Sequence, residues 1–267
     1  MFRYKLGPKF LRSSSKIPTT MRGRSALILT IFASISLAAA LETRITNGHD
    51  AKEEGQFPYQ AILRSTTGYL CGGSIIDENW ILTAAHCFID DIPKNLIVTV
   101  GTISLNSGTD YGVDKIIAHS EFNMSDPMPK YDIALLRLEK NIKFFDKVNK
   151  IDLESEVVGE VDCVVSGFGS TEHIFQKPSE KLQYLNTKVV TGWLCSFSGG
   201  DESRLCTQGP LFSSGCSGDS GGPLVAGGKQ IGIVSYGESL CAGILPTIYT
   251  RVSYYLDWIK LTMRSHD

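Results

Sequence analysis

From residue 45 onward the chain is cut into short apolar runs, each closed by turn residues. Tyr59–Arg64, Leu70–Ile76, Trp80–Ala85, Leu96–Val100, Ile133–Leu138, Val161–Ser166, Leu182–Val190 and Gln230–Ser235 are rich in Val, Ile and Leu, and most are too short for helices. Many short strands must hide their apolar faces by closing or stacking sheets, so the expected fold is all-β, a barrel or a sandwich. One segment breaks the rule. Val252, Tyr255, Leu256, Ile259 and Met263 recur at helical spacing and predict an amphipathic C-terminal helix docked on the body. The polar segment Ile151–Glu160, which contains Gly159, is the expected boundary between two β units.

The 267 residues, 42% hydrophobic and 20% charged, suffice for a substantial core in one large or two small domains. No repeat or low-complexity tract is visible. The N-terminal end differs in composition. Arg3, Lys5, Lys9, Arg12, Lys16, Arg22 and Arg24 precede an apolar run from Ala26 to Ala40, with no acidic residue among them. This predicts a secretory signal peptide over residues 1–40, with Met21 as an alternative start. The run is short against the roughly 20 residues that span a bilayer, which weighs against a signal-anchor. A transit peptide fits less well. Only transient contact with a membrane is therefore expected. Eight of the 26 Lys and Arg but one of the 28 Asp and Glu precede residue 45, so the remainder carries a net charge near −9. That excludes nucleic acid as an expected partner. Seven cysteines suit an oxidising compartment, and their odd number leaves one thiol over. Neither a CxxC pair nor an HExxH helix is present, so no zinc site is expected.

Three local sequences carry chemistry. Leu-Thr-Ala-Ala-His-Cys places His86 at the end of an apolar run, Asp-Ile-Ala-Leu-Leu-Arg-Leu places Asp132 at the head of another, and Gly-Asp-Ser-Gly-Gly-Pro centres on Ser220. Each alone is weak, because an Asp opening a strand is usually a turn residue and a His before a Cys is usually structural. Together, in that order and far apart, they are specific. A serine hydroxyl is a poor nucleophile near neutral pH and needs a general base within reach. Histidine titrates in the range that lets it take and return the proton. A carboxylate on its far nitrogen fixes the tautomer and stabilises the imidazolium.

These motifs resemble the trypsin/chymotrypsin family of serine endopeptidases over about Ile45 to Arg264. The resemblance implies two antiparallel β-barrels, about 45–155 and 156–250, followed by a helix over about 252–264. It implies that Ser220 attacks the peptide carbonyl, that His86 is the acid and base, and that Asp132 orients His86. The N–H groups of Gly218 and Ser220 form the oxyanion hole, where a donor is worth roughly 2.7–4 kcal/mol. Arg44-Ile45-Thr46-Asn47-Gly48 is similar to the family's activation site, so cleavage after Arg44 by a trypsin-like protease is expected to remove a propeptide, 41–44. The freed Ile45 ammonium would then pair with Asp219. Disulfides are implied between Cys71 and Cys87, Cys195 and Cys206, and Cys216 and Cys241. Ala226 stands where the family places the partner of Cys163, which makes Cys163 the odd thiol, expected to be buried.

The residue six before the nucleophile, Ser214, maps to the floor of the specificity pocket and Gly237 and Thr247 to its walls, while Ser235 and Gly237 map to substrate-backbone contacts. A neutral floor disfavours Arg and Lys, with only Glu238, expected at the rim, as a carboxylate that could favour them. Cleavage after Leu, Met, Phe or Tyr is expected, with Ala tolerated and Trp penalised. Departures from the family pattern are Tyr236, often Trp, in a substrate-binding wall, and Tyr69, where a His is common. The Gly101–Asp110 loop lacks the family's paired glutamates, so no metal is expected, and no cofactor. Asn123-Met124-Ser125 is a glycosylation sequon. His49, His119, His173 and His266 have no catalytic context. The closest likeness is to arthropod digestive members of the chymotrypsin/elastase/collagenase-like group, secreted and monomeric, with protein or peptide substrates and protein inhibitors as partners. The rival readings are a non-catalytic homologue serving as a binding module and a regulatory cascade protease.

Overall fold

The structure, a computed structural model, describes residues 48–66, 68, 70–88, 91–170, 177–210, 218–237 and 245–266. The proposed signal peptide, Arg44, Ile45, Tyr69, His173, Ser214, Cys216, Glu238 and Cys241 lie outside them. After β1 (His49–Asp50), the strands β2 (Gln60–Ser65), β3 (Leu70–Asp77), β4 (Trp80–Thr83), β5 (Leu96–Val100), β6 (Thr109–Ala118) and β7 (Ala134–Leu138) close an antiparallel barrel in the order β2-β3-β4-β7-β6-β5. Closure leaves no free edge in the ring and lets short strands share one interior. Ile75, Ile81, Leu82, Val98, Leu135 and Leu136 fill it, none of them exposed to solvent.

The chain then passes through β8 (Asp152–Leu153), which pairs in parallel with a strand of the second ring. That ring contains β9 (Asp162–Gly167), β10 (Gln183–Val190), β11 (Arg204–Gln208), β12 (Pro223–Ala226), β13 (Lys229–Tyr236) and β14 (Thr247–Arg251). Its order is β10-β11-β14-β13-β12-β9, closed by β9 pairing back to β10. A single helical turn-and-a-half, α1 (Trp193–Phe197), links β10 to β11, and α2 (Val252–His266) follows β14. The fold is thus two six-stranded antiparallel β-barrels with a C-terminal helix. Helix α2 buries Val252, Tyr255, Ile259 and Thr262, and its apolar stripe joins a core cluster made mostly of first-barrel residues together with Val225 and Ile233 of the second. Leu256 and Met263, also expected on that face, are half-buried at its margins.

Polar side chains stitch the barrels together. Ser74 Oγ on β3 donates to Gln230 Oε1 on β13 at 2.6 Å, and Ser166 Oγ on β9 donates to Gln60 Oε1 on β2 at 2.7 Å. All four residues are buried, so these hydrogen bonds remove polar groups from an otherwise costly position. Among the described residues two disulfides tie local loops: Cys71–Cys87, with S–S 2.08 Å, and Cys195–Cys206, which joins α1 to β11. Cys163 is free and buried.

Candidate active site

Strand β4 ends at Thr83, two residues earlier than its sequence run, and the chain tightens into a one-turn 3-10 segment over Ala85–Phe88. His86 sits on that turn rather than on the strand. The turn aims both the backbone N–H and the ring of His86 at one carboxylate. The N–H donates to Asp132 Oδ1 at 2.9 Å, and Nδ1 lies 2.8 Å from Asp132 Oδ2. Asp132 precedes β7 and is 1% exposed. Its placement depends on Tyr131, the one non-glycine residue among those described with positive φ, at 58°. That left-handed step costs steric energy and persists because neighbours over-determine it. Tyr131 N–H donates to the Tyr255 hydroxyl of α2, Tyr131 C=O accepts from Ile133 N–H at 2.8 Å, and Thr250 Oγ1 donates to the Asp132 carbonyl at 2.7 Å.

Ser235, near the end of β13, donates its hydroxyl to Asp132 Oδ2. Sequence reasoning placed Ser235 only against substrate backbone; its side chain also supports the carboxylate. Burial alone would push the Asp132 carboxyl upward, but the bond and charge of His86, with Ser235 and the His86 N–H, hold it below the usual range. Burial alone would lower His86, and Asp132 more than compensates, leaving its pKa raised. Both shifts favour the charged form of each group, and the ionised carboxylate holds the ring with Nδ1 turned toward Asp132.

Ser220 is half-buried at a turn seated between the barrels. Its carbonyl accepts a 2.7 Å hydrogen bond from Gly72 N–H on β3, so the first barrel holds the second barrel's serine turn. Gly221 has φ 78°, and a Cβ there would lie 2.2 Å from Thr83 Oγ1 and 2.6 Å from the Gly72 carbonyl, so no side chain fits. Asp219 is fully buried and accepts the Gly169 N–H at 2.8 Å. A Cβ on Gly167 or on Gly169 would fall 2.1 or 2.3 Å from an Asp219 carboxylate oxygen. The Gly-Phe-Gly sequence at 167–169 is thus the wall of the aspartate's cradle. Sequence reasoning missed it, although two glycines spaced by one residue at a strand's end are its signal.

Gly237 and Thr247 face each other: a Cβ on Gly237 would stand 3.6 Å from Thr247 Cγ2. Ser214 lies outside the described residues. Cys71 and Cys87 approach His86, but their sulfurs are joined in a disulfide and offer no thiolate to a metal. His119 packs against Tyr131, Tyr255 and Trp258, and burial lowers its pKa; it is a packing residue. His49 packs on Tyr184 and His266 Nδ1 meets the Thr262 carbonyl. Asn123 is exposed and caps a turn by accepting Ser125 N–H.

Two closed six-stranded barrels with a buried, hydrogen-bonded His–Asp pair at their junction define the trypsin-like fold class. Residues 45–259 match the protein family described as Trypsin, and the chain belongs to it: it is a trypsin-family serine protease. Chymotrypsin-2 of Vespa crabro is 35% identical over 221 residues, covering 81% of this chain and 98% of that protein. Kallikrein-1 of Mus musculus is 34% identical over 261 residues, covering 90% and 99%. Among solved structures, mouse neuropsin, a serine protease, superposes with a TM-score of 0.75 at 30% identity, covering 81% of this chain and 99% of that one. Membership implies protein substrates, and a disulfide-bonded fold of this kind is typical of extracellular proteins.

Proposed function

We propose that the chain is a secreted serine endopeptidase made as a zymogen and cutting after apolar or aromatic residues. The observation that carries the reading is the buried Asp132, which meets both the ring and backbone of His86 and is backed by Ser235. That arrangement serves a base that must accept a proton and become a cation inside the protein. In this reading Ser220 Oγ attacks the substrate carbonyl while His86 Nε2 takes its proton. The N–H groups of Gly218 and Ser220 receive the charge that develops on the carbonyl oxygen. His86 then protonates the leaving amine, and water repeats the sequence to release the acyl group. The buried Asp219 is suited to an ion pair with the ammonium of Ile45 exposed by cleavage after Arg44. A carboxylate at 0% exposure favours such a partner over solvent.

The neutral Ser214 floor argues against Arg and Lys beside the cut bond, since a buried cation without a partner costs several kcal/mol. Thr247 against Gly237 narrows the interior, which favours Leu, Met, Phe and Tyr over Trp. A digestive role accords with the likeness to an insect chymotrypsin.

The test is labelling by a fluorophosphonate probe and hydrolysis of a peptide library after trypsin-like activation. Label on Ser220, lost in Ser220→Ala, with cleavage after apolar residues and an N-terminus at Ile45, is the expected result. Folded protein that neither labels nor turns over would establish a binding module instead.

A further inference from the structure

Asp132 sits at the centre of a three-residue turn. Ile133 N–H donates to the Tyr131 carbonyl at 2.8 Å, so the direction of the Asp132 side chain follows from the backbone angles of Tyr131. Those angles are unfavourable: φ is 58° at an aromatic residue, where glycine or asparagine is better tolerated. Thr250 and Ser235 bond to Asp132 itself. The residue that carries the strain is held from elsewhere. The acceptor of the Tyr131 N–H is the hydroxyl of Tyr255, 3.2 Å away and 124 residues later in sequence, in the first turn of α2. Tyr255 is buried, and its ring meets Tyr131 edge-on with centroids 6.1 Å apart. The Ser203 hydroxyl is a hydrogen-bonding neighbour of the Tyr255 oxygen and donates its own proton to Asp201 Oδ1 at 2.6 Å. Tyr255 O–H therefore donates toward Ser203 Oγ and accepts from Tyr131, and each link strengthens the next. The circuit closes where Asp201 receives Lys130 Nζ at 3.2 Å, from the residue that precedes Tyr131.

We propose that Tyr255 is a positioning residue for the reaction: by accepting the Tyr131 N–H, its hydroxyl holds residue 131 in the left-handed conformation and keeps Asp132 aimed at His86. The inference rests on the reading of His86 as the general base. Without that oxygen the Tyr131 N–H faces a packed helix with no acceptor, an expensive state for a backbone donor. Relaxing Tyr131 toward ordinary angles relieves the strain and turns Asp132 away from the ring nitrogen it now meets at 2.8 Å. The C-terminal helix is thereby part of the machinery that aims the carboxylate.

Tyr255→Phe tests this, because it keeps the ring and its packing and removes only the oxygen. In the Ser220→Ala protein, NMR titration of the His86 ring protons should show a midpoint lower by roughly half to one pH unit, since the carboxylate that raises it has turned away. That readout needs no turnover, so it stands whether or not the chain cuts peptides. With Ser220 present, kcat on a short peptide ester should fall roughly tenfold to a hundredfold while KM stays within about twofold. Loss of helix packing alone would lower Tm and leave the midpoint in place. Asparagine tolerates the left-handed angle, so in a Tyr131→Asn background the same substitution should shift the midpoint much less, and this pair carries the test if Tyr255→Phe alone does not fold. An unchanged His86 midpoint in Tyr255→Phe would overturn the proposal. So would a full shift in the asparagine background, or failure of the pair to fold where Tyr131→Asn alone folds.

Discussion

Restoring a partner for the odd thiol tests the strand register of the second barrel directly. Strand β12 pairs with β9 through Leu224 with Val165 and Val225 with Val164, so the next antiparallel pair is Ala226 with Cys163. Opposed residues on antiparallel strands point to the same face with Cα atoms about 4.5–5.5 Å apart, inside the roughly 4.4–6.8 Å span of disulfides. Ala226 packs in the same apolar cluster as Cys163, which confirms the shared face. Ala226→Cys is therefore expected to form a disulfide between Cys163 and the introduced thiol without moving the backbone. Closing a loop of roughly 60 residues in the unfolded chain gives about 4 kcal/mol on chain-entropy grounds. At about 2–4 °C per kcal/mol for a chain of this size, the ceiling is a Tm increase of roughly 8–16 °C. Burial pushes the Cys163 thiol up to about 12, so little thiolate exists once the barrel has formed. The bridge should consequently form during oxidative folding and resist formation in protein folded reduced. The assay is thermal melting of the Ser220→Ala background with and without Ala226→Cys, beside thiol titration in denaturant. One fewer free thiol than the parent and a higher, reductant-sensitive Tm are expected. A variant with one more free thiol and an unchanged Tm would refute the register.

Three further outcomes follow from the site. Because Asp132 raises the His86 pKa, kcat/KM should climb with pH through an apparent pKa above 6.5, where His86 becomes free to act as base; stability from the ionic pair is full below 6.5 and declines through the same raised value. A pH–rate profile with its midpoint below 6.5 would contradict the geometry. Ser235→Ala removes a hydrogen bond to the Asp132 carboxylate worth about 1.5–3 kcal/mol, so kcat/KM should fall roughly ten- to hundredfold while circular dichroism is retained. Arg204 donates from Nη1 to the Tyr236 hydroxyl at 3.0 Å and to the Met128 carbonyl at 3.0 Å, so Arg204→Met should free Tyr236 and lower Tm and, on the reading of Tyr236 as a substrate-binding wall, raise KM for long peptides more than kcat changes. An unchanged KM would show that Tyr236 holds its place by packing alone.

Strands with dense Val, Ile and Leu were legible in the sequence, and Leu96–Val100 agrees residue for residue. The strands that escaped have other signals. Thr109–Ala118 alternates polar residues on a half-exposed hairpin, and Pro223–Ala226 is too short to show a period. Thr247–Arg251 holds its place through pairing with β11 and β13 rather than through its own pattern. In the site, His86 and Asp132 were legible because chemistry restricts their identity. The supports were not. Thr250, Tyr131 and the glycines at 167 and 169 act through backbone geometry or contacts between distant segments, which a linear reading does not contain. The 3-10 turn carrying His86 was hidden because Ala84 and Ala85 continue an apolar run while turning the chain.

The seam between the barrels has a consequence for how the molecule fails. Gly72 N–H grips the Ser220 carbonyl, and Ser74–Gln230 and Ser166–Gln60 clasp on either side. A small parting of the two halves would withdraw the serine turn from the histidine long before either ring of strands came undone. Loss of turnover should then precede loss of secondary structure on heating, so that the enzyme serves as its own sensor of quaternary-like docking within a single chain. For the same reason, substitutions tolerated within one barrel acquire a cost when they shift its docking face, and the halves are bound to change together.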